Sequence, residues 1–130
     1  MRDILFRAKR ADNGKWVYGD LIQYESKEVS ILNKFSKYGY EATEICRRTK
    51  VIPETVGQYT GIEDKNNVKI FEGDIVEQTH YAYEEPICTS IWKICYIGMG
   101  FSFEHVKGTI PPFQYTQEIE VIGNIHDKEE

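Results

Sequence analysis

No stretch of this 130-residue chain approaches the roughly 20 consecutive apolar residues that a membrane-crossing helix needs, so a helical membrane protein is excluded. Cysteine is scarce. Cys46, Cys88 and Cys95 form an odd set with no closely spaced pair, which argues against a disulfide framework or a zinc knot and for free thiols. The opening residues MRDILFRAKR show neither a secretory apolar region nor a cleavage site. The expected compartment is therefore the cytoplasm, and no membrane partner is expected.

What is present fits a packed soluble domain. The chain is 41% apolar and 28% charged, enough apolar material to rule out wholesale disorder. Aromatics reach 13%, with nine tyrosines, and tyrosine favours strands that keep one face wet. Net charge is −5 but unevenly spread. Residues 1–50 hold 11 Lys/Arg against 7 Asp/Glu, or +4, and residues 51–130 hold 5 against 14, or −9. A basic half can meet nucleic acid and an acidic half a basic partner, or the two halves can attract one another.

Alternation and turn residues predict strands throughout. Ile4, Phe6 and Ala8 alternate in a first strand, and Asn13-Gly14 signals a hairpin into a second strand from Trp16 to Tyr24. Glu25-Ser26-Lys27 turns into a third, Glu28 to Leu32. Asn33 to Ala42 reads as a loop, and Thr43 to Ile52 as a strand. Ile52 precedes a proline, which favours extended backbone there. Pro53 to Val56 suits a single helical turn, which Gly57 and Gly61 stop from growing. Asp64 to Asn67 is a hairpin loop in which Asn66 and Asn67 tolerate left-handed backbone.

A strand bent at Gly73-Asp74 is expected next, then a polar loop from Tyr81 to Pro86 and a strand buried on two sides from Cys88 to Ile97. Gly98-Met99-Gly100 turns the chain, and Glu118 to Ile125 is the last strand. Gly19-Asp20 echoes Gly73-Asp74 within similar ten-residue surroundings and predicts two equivalent chain-bending corners. The predicted class is all-β: a small barrel or a pair of sheets with long loops and one or two short helical turns at most. It forms one domain, or two small lobes with hairpins in residues 1–52 and a barrel in 53–130.

Four strings resemble the YopX family, small proteins carried mainly by bacteriophages and prophages. They are the opening MRDILFRA, the central VIPETVGQYTG (51–61), IFEGDIV (70–76) and EVIGNI (120–125). The central string is the specific one. Asn67 stands where the family's hairpin usually has glycine, and residues 33–44 and 81–86 match no family string. The resemblance implies a compact structure related to SH3-like barrels and the cytoplasm of a bacterial host. It transfers no activity, cofactor or site residue.

Each chemical cluster has a structural counter-reading. Cys88 and Cys95 lie an odd number of residues apart, so a regular strand would point them to opposite faces, away from a shared metal. A Cys nucleophile with a His base has no local elbow to support it. Glu72, Asp74 and Glu77 could do acid–base work, but Asp after Gly commonly caps its own turn, as Asp20 would after Gly19. The sharpest functional cluster interleaves bases and rings: Lys34, Phe35, Lys37, Tyr38, Tyr40, Arg47, Arg48 and Lys50. That mix suits single-stranded nucleic acid, with charge for phosphate and rings for bases. The leading expectation is a non-enzymatic binding module with a protein partner and no catalytic, metal or cofactor residues, prone to self-association through open strand edges. A nucleic-acid-binding barrel is the first rival, and a hydrolase or metal-dependent nuclease the second.

Overall fold

The structure is a computed structural model that describes residues 3–36, 44–108 and 116–127. Among the described residues ten strands follow one another: β1 (Phe6–Lys9), β2 (Trp16–Gln23), β3 (Val29–Ser36), β4 (Glu44–Val51), β5 (Gly57–Glu63), β6 (Lys69–Phe71), β7 (Asp74–Ala82), β8 (Glu85–Ile97), β9 (Gly100–Gly108) and β10 (Thr116–Asn124). Among the described residues the helical element is a 3-10 turn, Pro53–Thr55. The all-β expectation holds. The chain divides into two compact units, Met1–Tyr59 and Thr60–Glu130.

In the first unit β4, β3, β2 and β1 pair in that order, all antiparallel, and Gly57 and Gln58 of β5 extend the ladder beside β1. The Asn13-Gly14 hairpin forms as its sequence requires. Gly14 takes positive φ, Arg10 N–H donates to Lys15 O at 2.8 Å, and Lys15 N–H donates to Asn13 Oδ1 at 2.9 Å. The core is Ala8, Val29, Ile31 and Val51, with Phe6, Val17, Leu21 and Val56 packed on it. The end of β4 curls back to β1 through an Arg10–Val51 bridge. Ile52 is extended before Pro53, as expected, and Thr55 clips the turn to β1: its hydroxyl donates to Ile52 O at 2.6 Å and accepts from Lys9 N–H at 2.8 Å.

In the second unit β10, β7, β8 and β9 form an antiparallel sheet in that order, over a core of Ile70, Val76 and Ile94 flanked by Trp92, Ile119 and Val121. Of the two predicted architectures, the pair of sheets is the one that forms, and the barrel does not close. Among the described residues β9 and β10 are the two ends of this sheet and do not pair, and in the first unit β4 and β1 share a bridge rather than a ladder. Bulges turn both ends aside, at Ile122 in β10 and at Val106 in β9, which limits edge-to-edge pairing.

Three local expectations also change. Residues 33–36 are strand, not loop, because β4 supplies a full ladder opposite them. Gly73 does not bend one strand but sits at a corner between β6 and β7, with φ 92° and its N–H donating to Ile94 O at 2.8 Å. Gly19 lies inside β2, so Gly19-Asp20 is no second corner and the echo has no structural counterpart.

The region from Tyr81 to Pro86 is not a loop either. Ala82 pairs with Glu85, leaving a two-residue turn in which Tyr83 (φ 53°) and Glu84 (φ 68°) are both left-handed. That is the geometry of a type I′ turn, which Asn-Gly adopts at little cost. Tyr83 is fully exposed and contributes no packing. Replacing the pair (Tyr83→Asn with Glu84→Gly) is expected to stabilise the second unit by about 1–2 kcal/mol, the strain of two non-glycine residues held there. A raised urea midpoint in Trp92 fluorescence would show it, and an unchanged midpoint would refute it.

Candidate functional site

Two surfaces carry chemistry. The first is an apolar groove in the second unit, with a cavity of about 180 Å³. Ile70 of β6 and Ile94 of β8 are buried and form its floor, while Thr60 and Ile62 of β5 and Phe101, Ser102 and Phe103 of β9 line its sides. The lining offers apolar contact and two hydroxyls but no charge. A void of about 150 Å³ holds a benzene ring, so this one accepts a single bulky side chain. The groove runs beside the end strand of its sheet. The outer half of β9 is guarded by the Val106 bulge and by Glu104 and Lys107, with Glu104 held to Lys93 at 3.2 Å. The half from Gly100 to Phe103, which borders the groove, carries neither bulge nor charge. No sequence pattern marks this site, because each lining residue reads only as an ordinary strand position.

The second region is the non-core parity of the first unit, where Arg7 and Ser30 are buried while Tyr18, Arg48 and Lys50 are exposed. The predicted basic cluster is split by the ladder. Arg48 lies opposite Leu32 and Lys50 opposite Ser30, while Arg47 lies opposite Asn33. Strand alternation therefore sets Arg48 and Lys50 off the parity of the core residues Val29, Ile31 and Val51, while Lys34 and Phe35 pair in the ladder with Cys46 and Ile45. Arg48 is exposed, and Lys50 is exposed beside Glu28 at 3.7 Å. Lys37, Tyr38 and Tyr40 lie outside the described residues. On the same parity as Arg48 the sequence reading missed Arg7, Lys9, Trp16 and Tyr18. The Arg7 guanidinium carbon is 4.6 Å and the Lys9 ammonium 5.4 Å from the Trp16 ring centroid.

The turn residues hold backbone rather than ligands. Gly61 takes φ 94° within β5, Asn67 takes φ 63°, and Asn66 N–H donates to Asp64 Oδ1 at 2.8 Å. Asp74, 1% exposed, accepts Phe71 N–H on Oδ2 at 2.7 Å, the self-capping role its place after Gly73 suggests. Asp20 is exposed and lies within β2 rather than at a corner.

Asp64, read from the sequence only as a turn residue, also reaches across the fold. Only 7% exposed, it accepts Asn66 and Val68 N–H on Oδ1 (2.8 and 2.9 Å) and Val121 N–H on Oδ2 (2.9 Å). Burial pushes its carboxyl up, but the bonds from Val121, Val68 and Asn66, with the Lys65 charge, outweigh it and hold the group below the usual carboxylate range.

Among the described residues no three of His, Cys, Asp and Glu gather in a way that could hold a metal ion. His80 is 2% exposed, with Nε2 3.2 Å from Ser90 Oγ and Nδ1 without a partner. This Ser–His contact is sealed, since Ser90 has no exposed surface from which to attack a substrate.

No curated protein matches this chain. The crystal structure of protein EF1440 from Enterococcus faecalis is similar to it, with a TM-score of 0.59 and 22% identity over 97% of this chain and 95% of that one. At that identity the likeness speaks to the fold. The family described as "YopX protein" matches residues 5–130, nearly the whole length. Taken with the all-β architecture and the four strings that span it, this match places the chain in the YopX family.

Proposed function

We propose that this protein is a non-enzymatic interaction module of phage or prophage type, working in the bacterial cytoplasm, that receives an extended segment of a partner protein in the apolar groove of its second unit. The groove itself carries the reading. A strand end free of bulge and charge, Gly100 to Phe103, runs beside a cavity sized for one large apolar side chain. An extended peptide supplies what that arrangement lacks: a backbone for the edge and a side chain for the cavity. The lining holds no acid or base to drive a reaction, which favours recognition over catalysis. The free thiols Cys88 and Cys95 are in keeping with a reducing compartment. An SH3-like relationship and self-association through strand edges belong to the same reading.

The test is a displayed library of extended peptides selected against the protein, with affinities read by fluorescence anisotropy. Phe103 and Ile62 are 40% and 52% exposed, so their replacement leaves the core intact. Phe103→Asp and Ile62→Asp are each expected to weaken selected peptides about tenfold or more, since burying one bulky apolar side chain contributes ~1.5–3 kcal/mol. Peptides indifferent to both variants would overturn the proposal. A concentration-dependent dimer that Phe103→Asp dissolves would assign the groove to a second copy of the chain.

A further inference from the structure

We infer that the apolar groove selects an extended segment with two apolar side chains spaced two residues apart, basic flanks, and antiparallel pairing to Phe101 and Phe103. This specificity rests on the groove being a peptide site, and it can fail while that reading stands.

Register decides which backbone groups are on offer. Ile97 pairs with Gly100 across the two-residue turn Gly98-Met99, the position at which a tight hairpin closes its first hydrogen-bonded pair. Bonded and non-bonded pairs alternate along an antiparallel ladder. Ser102, opposite Cys95, therefore turns its N–H and C=O toward β8, while Phe101 and Phe103 turn theirs away. The ring contacts agree. Side chains stand closer in non-bonded pairs, and Phe101 meets its partner Tyr96 with ring centroids 5.1 Å apart. Among the described residues β9 is an end strand of its sheet. The N–H and C=O groups of Phe101 and Phe103 thus point outward along the stretch that borders the groove. Every pairing in this sheet is antiparallel, and a strand that continues it exchanges both bonds with each of these two residues.

The same register sets the spacing. Residues opposite one another in a ladder share a face, and Phe103 shares its face with the buried Ile94. In the antiparallel sense the ligand residue opposite Phe103 comes first and enters the cavity over Ile70 and Ile94. The residue opposite Phe101 comes two later, ~6.8 Å along, and rests against Phe101 and the half-exposed Tyr96. The residue between them points to the other face and stays in solvent. Because the lining carries no charge, the two anchors are neutral. Charge enters at the flanks. Residues 60–130 hold 5 Lys/Arg against 13 Asp/Glu, or −8, and Glu63 is exposed next to Ile62 at the rim. That field draws basic flanks and repels acidic ones.

The probe is a blocked, labelled nonapeptide with lysine at both ends, leucine at its fourth and sixth positions and threonine elsewhere, titrated by anisotropy. Moving the second leucine to the fifth position should weaken binding about tenfold or more, since its side chain then leaves the groove face. N-methylation of either leucine should cost about tenfold, and of the threonine between them little. Tyr96→Ala should cost severalfold with this peptide and nothing once its second leucine is threonine. Glutamate in place of both lysines should weaken binding severalfold at low salt, with the gap closing as salt rises. Binding that Phe103→Asp abolishes but that ignores leucine spacing, suffers most from methylation of the central threonine, or tightens with glutamate flanks would overturn this specificity and leave the groove reading in place. So would failure of the lysine peptide to bind a protein whose groove still takes library-selected peptides. Selected peptides indifferent to both Phe103→Asp and Ile62→Asp would remove the two together.

Discussion

Asp64→Ala is expected to destabilise the second unit by about 3–5 kcal/mol, because three backbone N–H groups lose a charged acceptor in partly buried surroundings. Two of those groups, on Asn66 and Val68, shape the turn between β5 and β6. The third, on Val121, belongs to β10, so one carboxylate ties the turn to the end of the sheet. Lys65 N–H reinforces the tie by donating to Ile119 O at 3.0 Å, and the Lys65 ammonium lies 3.8 Å from both Glu118 and Glu120. Those ion pairs are partly exposed and contribute little by comparison. Asp64→Asn separates charge from shape. Its amide oxygen can still serve Asn66 and Val68, but its NH₂ would face the Val121 N–H, donor against donor. An intermediate loss of about 2 kcal/mol is expected.

The same carboxylate gives the second unit an acid dependence of definite sign. Its folded pKa lies below the unfolded value of about 3.9. The stability it contributes is therefore complete above that value and is lost as pH falls through the folded pKa. Urea unfolding followed by Trp92, whose ring packs on the second core, should weaken more steeply below about pH 4 in the parent than in Asp64→Asn. Parallel pH profiles for the two proteins would remove Asp64 as the source.

Asp64 also shows where reading the chain stops. Its place in a turn is legible, because Asp-Lys-Asn-Asn is local chemistry. Its hold on Val121 is not, because that partner lies 57 residues away. The Asn13-Gly14 hairpin, the extended Ile52 and the Pro53 turn were all legible for the same local reason. The strand from Asn33 to Ser36 was not, since its sequence is polar and only the distant β4 makes it a strand. The tight turn at Tyr83-Glu84 was hidden because neither residue favours left-handed backbone, so the surrounding ladder overrules local preference. The apolar groove follows the same rule, since it draws on four separate strands.

Gly19→Ala is expected to cost the first unit about 3 kcal/mol or more, although alanine is the smallest side chain that could be added. Gly19 is the last β2 residue in register with β1, opposite Phe6, and Asp20 is the first in register with β3, opposite Leu32. At this exchange of partners the two backbones press together. A Cβ on Gly19 would lie 2.2 Å from the Leu32 carbonyl oxygen and 3.0 Å from Ile31 Cγ2. The nearest obstacle is backbone in the middle of a ladder, so relief requires moving β3, which carries the core residues Val29 and Ile31. Gly100→Ala is the matched control. Nothing lies within 4 Å of its added Cβ and its φ is not positive, so it should be neutral or stabilise by up to about 1 kcal/mol through the unfolded state. The two tryptophans fall one in each unit, so Trp16 in a Trp92→Phe background reports the first unit directly. A Gly19→Ala midpoint within about 1 kcal/mol of the parent would mean that the strands can part at this point without loss, and that the seam at Gly19 and Leu32 does not set how β2 passes from β1 to β3.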